Sequence, residues 1–172
     1  MGSKIRLGAV IATLFLVGIA AVPSAAAATD DACSLLTKAQ VSAVVSVPVG
    51  AGTYVTPTFH KTCTWTPVSG DKTISAVTLY LQTADAYDGG KKMAEQMVAM
   101  AKMQGSKDAS ESGVISASGV GDDAYYFNAG TMTSLLVKKG SMSFKVSVYA
   151  HLPLEKKEAM EKTLALEALS KL

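Results

Sequence analysis

The sequence predicts an α+β fold: a single domain with a largely antiparallel sheet flanked by helices. Three observations carry that expectation. Periodic segments follow the order helix, strands, helix, strands, helix. The late strands are joined by the hairpin-length pieces "AGT" and "KKG", too short for the crossover that parallel strands need. The segment "TISAVTLYLQT" (73–83) is apolar in both alternating phases, as a central strand covered on both faces would be.

The start of the chain is set apart from the rest. Lys4 and Arg6 precede the uncharged run "LGAVIATLFLVGIAAV", which leads into Pro23 and "SAAAA". This order of basic, apolar and small-residue regions is that of a secretory signal peptide, expected to span residues 1–28. The apolar run is shorter than the roughly 20 residues that cross a bilayer comfortably, so no membrane anchor is expected after cleavage. Residues 29–172 then form one domain, long enough for one core and too short for two.

Cleavage also removes two of the 16 basic residues and none of the 14 acidic ones, so the mature charge is balanced. Without a basic field or a basic block longer than Lys91-Lys92, Lys138-Lys139 or Lys156-Lys157, no nucleic-acid partner is expected. Each doublet is read as a solvated surface feature.

Cys33 lies well beyond the apolar run, behind Asp30-Asp31-Ala32, which is not the setting of a lipidated cysteine. Cys33 and Cys63 lack the C-x-x-C spacing of a redox pair or zinc knuckle, and His60 and His151 are the only histidines. An exported chain with two cysteines most simply makes one disulfide, Cys33–Cys63. Closing a loop of about 31 residues contributes about 3.5 to 4 kcal/mol in the chain-entropy account.

The elements follow in order. Thr37 and Gln40 form a capping box, with Leu36 placed to pack on Val41, opening a short helix whose stripe is Val41, Val44 and Val45. "VGAGTYVTPTF" is broken by glycines and Pro57 and predicts an irregular edge strand. "TCTWTP" is a strand with Cys63 and Trp65 on one face, and the central 73–83 strand comes after a "VSGDK" turn. Asp85 is placed to cap a helix over 86–104, and "GSKDASESG" (105–113) predicts a polar loop. "AYYFN", "MTSLLVK" and "SMSFKVSVYA" predict a meander, and Pro153 should be the first residue of the terminal helix. Ala159, Met160, Thr163, Leu164 and Leu166 give that helix its apolar side.

With "DACSLLTKAQVSAVVSVPVG", a second cysteine in "CTW", "GVGDDAYY", the hairpin "LLVKKGSMSFKVSV" and the terminal "LPLEKKEAMEKTLA", the chain resembles a broad group of secreted and lipoprotein bacterial domains of unknown function. These begin with a C-S-L-L-T signature. Their order of elements is similar to the PsbP-like α/β/α sandwich, which is the fold the resemblance implies. It implies no catalytic residues. The chain departs from lipidated members because Cys33 is not at the cleavage site, and from the pattern because "VSVPVG" stands where a glycine cap is expected.

Several motifs bear on chemistry. "GVGDDA" (119–124) matches a relaxed dinucleotide fingerprint, but that chemistry needs a helix at the glycines and "YYFN" is strand-like; a glycine turn with Asp122 or Asp123 on backbone amides is expected. No nucleophile motif is present, and the S-x-x-K match at Ser69 and Lys72 lies in a turn. His60 and His151 are expected on the surface. Met93, Met97, Met100 and Met103 share an arc of about 120° on a helix. Packing of this stripe on the sheet is expected, because methionine is a flexible core filler. Left exposed, the same thioethers would suit Cu(I).

The reading is therefore an exported, non-enzymatic binding domain for a protein, peptide or envelope component, with no cofactor. Tyr125, Tyr126 and Tyr149 are its candidate interaction surface, since exposed aromatics on strands mark binding sites. The alternatives are a periplasmic or extracellular Cu(I) binder using Met93, Met97, Met100 and Met103, and a hydrolase or small-ligand binder with a pocket assembled from distant residues.

Overall fold

The structure is a computed structural model that describes residues 30–70, 72–105 and 113–172. The expected signal peptide and most of the 105–113 loop lie outside the described residues. Among the described residues the chain forms helices α1 (Ala32–Leu35), α2 (Lys38–Val45), α3 (Ala84–Met103) and α4 (Leu154–Leu169). The strands are β1 (Thr53–Tyr54), β2 (Thr62–Trp65), β3 (Ile74–Thr83), β4 (Gly113–Ser116), β5 (Asp123–Ala129), β6 (Met132–Lys139) and β7 (Met142–Ala150). They make one sheet in the order β1-β2-β3-β7-β6-β5-β4, antiparallel throughout. The α+β expectation with an antiparallel sheet and one disulfide holds.

β3 and β7 pair over nearly their whole length at the centre of the sheet, with a bulge at Ile74/Ala76 that brings Ile74 into the core. Ala76, Thr78, Tyr80 and Gln82 are half-buried on the other face, so the expected cover on both faces is full on one only. Strand alternation then sorts the side chains. Val77, Leu79 and Leu81 of β3, Phe144, Val146 and Val148 of β7, and Leu135 and Val137 of β6 enter one core. Against it pack Leu35, Leu36, Val41 and Val45 from the amino-terminal helices and Leu164, Ala165 and Ala168 from α4. The opposite face carries α3.

The amino-terminal helices need outside support because α2 is short and rich in valine. Its capping box is present: the Gln40 N–H donates to Thr37 Oγ1, and the Thr37 N–H donates to Gln40 Oε1 at 3.0 Å. Cys33 sits inside the one-turn α1, where the Asp31 carboxylate accepts from its N–H at 2.9 Å. The Cys33–Cys63 disulfide, with Cα atoms 5.0 Å apart, ties that turn to β2 beside the buried Trp65. Gly52 is required there, since a Cβ on it would meet Cys63 Sγ at 2.5 Å and Trp65 Nε1 at 2.9 Å. Where a glycine was expected to close α2, Ser46 takes the left-handed conformation at φ 57°.

Three local expectations change, and one strand is added where the sequence made no assignment. Thr83, not Asp85, caps α3, because β3 runs directly into the helix; Thr83 Oγ1 accepts from the Ala86 N–H at 3.2 Å and Asp85 lies in the first turn. Pro153 is the cap of α4 and not its first residue. The segment after the 105–113 loop is a strand, β4, paired with β5. Finally, the buried stripe of α4 begins with Lys157 and Glu161. The solvated reading of the Lys156-Lys157 doublet therefore fails for Lys157, whose Nζ donates to the Thr131 carbonyl. Of the expected apolar side, Leu164 is buried and Met160 half-buried, while Ala159, Thr163 and Leu166 are exposed, Leu166 at 45%.

Candidate functional site

The second face of the sheet is only half covered. α3 leaves the end of β3 and crosses toward β4, and its buried residues are Tyr87 and Ala94. Tyr87 packs on Tyr125 with ring centroids 5.2 Å apart. Two ion pairs hold the amino-terminal half of the helix: Lys138 with Asp88 at 2.7 Å and Lys91 with Asp123 at 3.0 Å. Lys138 also sits 5.9 Å above the Tyr87 ring. Burial pushes the Tyr87 hydroxyl well up and the Tyr125 hydroxyl up to about 12, so both stay neutral.

Val98 and Ala101 continue the line of Tyr87 and Ala94 half-buried, but the methionine side of the helix faces open space. Met93, Met97 and Met100 are between 53% and 59% exposed and Met103 is 87% exposed. The expectation that this stripe packs on the sheet is overturned. At 100° per residue, Met97 stands about 70°, Met93 about 110° and Met103 about 170° from the Tyr87–Ala94 line, so the buried line passes beside the methionines.

A cavity of about 360 Å³ lies between the helix and the sheet. Met93, Ala94 and Met97 line it from α3, and Phe127, Leu136 and Tyr149 from the strands. Met132, at the start of β6, is 59% exposed on its rim, and Lys145 reaches it from the centre of β7. Lys145 is paired in the sheet with Tyr80 on one side and Leu136 on the other. Its Nζ lies 6.0 Å from the Tyr80 ring centroid. Unlike Lys91, Lys138 and Lys139, it has no carboxylate partner among the described residues. Ser134 and Ser147, on the same face, share a hydrogen bond of 2.7 Å.

The three aromatic candidates separate by strand parity. Tyr125 and Tyr149 share the second face, Tyr125 buried in the groove wall and Tyr149 44% exposed. Tyr126 points into the core instead, donates to the Glu158 carbonyl at 3.1 Å, and has its hydroxyl pushed up to about 12 by burial. Adjacent residues of one strand cannot share a face, so Tyr126 is placed away from any surface formed by the other two.

Behind the groove, the sheet parts. The β6–β7 ladder ends at Leu135↔Val146. Glu161 fills the gap, accepting from the Val148 N–H at 3.0 Å and from the Thr133 hydroxyl at 3.2 Å. Burial pushes this carboxyl up to about 8, against the pull of those donors and of Lys157. A smaller cavity of about 180 Å³ opens there, lined by Lys157 and His151 and sharing Met132 and Tyr149 with the groove. Sequence reasoning missed Lys157 and Glu161. The spacing 157, 161, 164, 165, 168 is a regular helical stripe, and only the charge of its first two members hid it.

Both histidines are exposed. His60 stacks on Tyr54 with centroids 4.5 Å apart and its Nε2 meets the Pro57 carbonyl at 3.1 Å. "GVGDDA" forms a turn with Gly119 and Gly121 at positive φ, and strand β5 follows where a nucleotide site would need a helix. Asp122 accepts from the Gly140 N–H at 2.7 Å and from Lys139 Nζ at 2.8 Å, and these two donors hold its carboxyl below the usual range. No helix among the described residues is long and apolar enough to cross a membrane.

The chain is thus an α+β domain with one sheet face sealed by three helices and the other left open beside a methionine-edged helix. No protein-family model, no curated protein and no solved structure matches it.

Proposed function

We propose that this chain is an exported, non-enzymatic binding domain that takes the apolar part of an envelope component in the groove beside α3. The observation that supports it is the half-covered sheet face, where Met93, Met97, Met132 and Tyr149 stand 44% to 59% exposed around one cavity. Clustered apolar exposure of this kind marks a binding site, and about 360 Å³ falls within the size range of ligand pockets. Methionine suits such a wall because its unbranched thioether adapts to different shapes. Export is supported by the basic, apolar and small-residue order of residues 1–28 and is compatible with the disulfide. The resemblance to secreted and lipoprotein bacterial domains agrees with this.

The test is titration of the oxidised mature chain with an uncharged environment-sensitive dye such as Nile red. Saturable binding at one site is expected, with Met97→Asp weakening it about tenfold or more, the effect of placing a charge against an apolar ligand. Val68→Asp, at an exposed residue of the loop after β2, serves as the control. Dye binding that does not saturate, or that Met97→Asp leaves unchanged, sinks the proposal.

A second reading has its own observation. Met93, Met97 and Met132 line the same cavity while Met100 and Met103 do not, and thioethers are soft ligands of the kind that select Cu(I). Both cysteines are in the disulfide, so thioethers are the sulfur donors left for Cu(I). Lys145 beside them opposes a cation, which ranks this reading second. Competition of the chain against a Cu(I) chelator checks it, and the reading is lost if Met132→Leu and Met97→Leu leave affinity unchanged.

A further inference from the structure

Lys145 is the unexplained residue of the groove. A half-buried lysine at the centre of the central strand gives up hydration along its stalk and must keep its ammonium group in water or on an acceptor. Here its neighbours on the same face are uncharged: Tyr80 and Leu136 across the strands, Ser143 and Ser147 along its own. The other lysines of this face, Lys91 and Lys138, are both paired with aspartates at the amino-terminal half of α3. The Tyr80 ring at 6.0 Å offers Lys145 only a weak partner.

We infer that the groove holds a single-chain anionic amphiphile, its acyl chain along Met93 and Met97 and its carboxylate or phosphate head at Lys145. This rests on the groove reading above. Charge complementarity supplies the head: one ammonium group with no carboxylate partner among the described residues, at the edge of a largely apolar cavity. A hydroxyl beside it adds to the site. Ser134 lines the cavity and bonds the buried Ser147 at 2.7 Å; where Ser134 accepts, its own O–H is free to donate to an anion. A volume of about 360 Å³, near the lower end for ligand pockets, suits one chain and not two. The ligand is a monomer held by the protein and not a bilayer on which the protein rests.

The test uses the oxidised mature chain and displacement of bound Nile red by three dodecyl amphiphiles kept below their micelle concentrations: dodecanoate, dodecyl maltoside and dodecyltrimethylammonium. The expected order of affinity is anionic, neutral, cationic, with about a tenfold or greater ratio between the ends of the series, the usual scale for a hydrogen-bonded charge. Lys145→Gln should bring that ratio close to one, Lys145→Arg should keep it, and Trp65 emission checks that each variant is folded. Equal displacement by all three heads, or a ratio that survives Lys145→Gln, overturns the head assignment while leaving the groove in place. Dye binding with no displacement by any dodecyl chain overturns the acyl-chain assignment, and absence of dye binding overturns the groove reading itself. Retention on anionic vesicles with no displacement by monomers also overturns the inference.

Discussion

The Val148 N–H donates to Glu161 Oε1 at 3.0 Å, so a helix side chain occupies the place of a strand partner. In the hairpin register that pairs Leu135 with Val146, the next hydrogen-bonded pair would be Thr133 with Val148. The carboxyl takes one donor from each strand instead, from the Val148 backbone and from the Thr133 hydroxyl. α4 is thereby keyed to the sheet at the point where β6 and β7 part, directly behind the open groove. The join satisfies a backbone donor that would otherwise be buried without a partner, and the cost is a buried carboxyl.

That cost gives a pH dependence. Burial raises the Glu161 carboxyl from an ordinary 4.5 to about 8 in the fold. Between those values the folded chain holds a proton that the unfolded chain has released, so stability falls as pH rises. The slope from this group is at most about 1.4 kcal/mol per pH unit. The contribution is fully present below about pH 4.5 and lost above about pH 8. Glu161→Gln keeps an acceptor for Val148 and cannot ionise, and it should flatten the slope. Glu161→Leu leaves the amide unpaired and should cost about 1 to 3 kcal/mol at pH 5. Urea midpoints at pH 5, 7 and 9 measure all three; a wild-type midpoint that rises across that range refutes the assignment.

The disulfide is expected to matter through the helix it anchors. α1 has a single turn and α2 is short and β-branched, so neither holds without the sheet. Replacing Cys33 and Cys63 together by serine should lower unfolding free energy by about 3.5 to 4 kcal/mol, the scale for cysteines 30 residues apart in sequence. Amide exchange should rise first in residues 32–45. Uniform acceleration across the sheet would mean that the bridge stabilises the whole fold equally.

Gly121 is fixed by both conformation and space. Its φ is +63°, and a Cβ would meet the Lys138 carbonyl oxygen at 2.5 Å and Val137 Cγ1 at 2.8 Å. Gly121→Ala should destabilise by at least about 2 kcal/mol, combining left-handed strain with displacement of the β5–β6 edge. Gly119→Ala, at φ +75° in open space, should cost about 1 to 2 kcal/mol. Equal midpoints for the two variants would show that the close approach is relieved at no cost.

Much of the fold was legible because period and punctuation agreed. The Thr37/Gln40 box, the long apolar run of β3, the meander of β5 to β7 and the cysteine pair each state their own geometry, although the two-phase pattern of β3 reflects a bulge at Ile74/Ala76 and not full cover on both faces. The groove was not legible for two reasons. Methionine spacing shows that Met93, Met97 and Met100 share a side of α3, but not whether Tyr87 and Ala94 leave room for that side to pack. Tyr125 and Tyr126 look alike in sequence, and only parity sends one to the groove and the other to the Glu158 carbonyl. Lys157 and Glu161 were hidden because charge was read as exposure, while their spacing already belonged to the buried stripe.

Methionine oxidation separates the observed arrangement from the packed stripe that the sequence suggests. Met93, Met97, Met100, Met103 and Met132 are all more than half exposed, whereas Met142 and Met160 pack partly buried against the core. Mild peroxide should convert the first group to sulfoxides well before the second, with Met103, the most exposed, among the fastest. Each sulfoxide places a polar S=O where the groove needs an apolar wall, so dye affinity should fall as Met93, Met97 and Met132 react and hold steady for Met103 alone. Peptide mass mapping over an oxidation time course, with Nile red titration at each point, gives both readouts. Equal protection of all these methionines would mean that α3 lies flat on the sheet and that no groove exists.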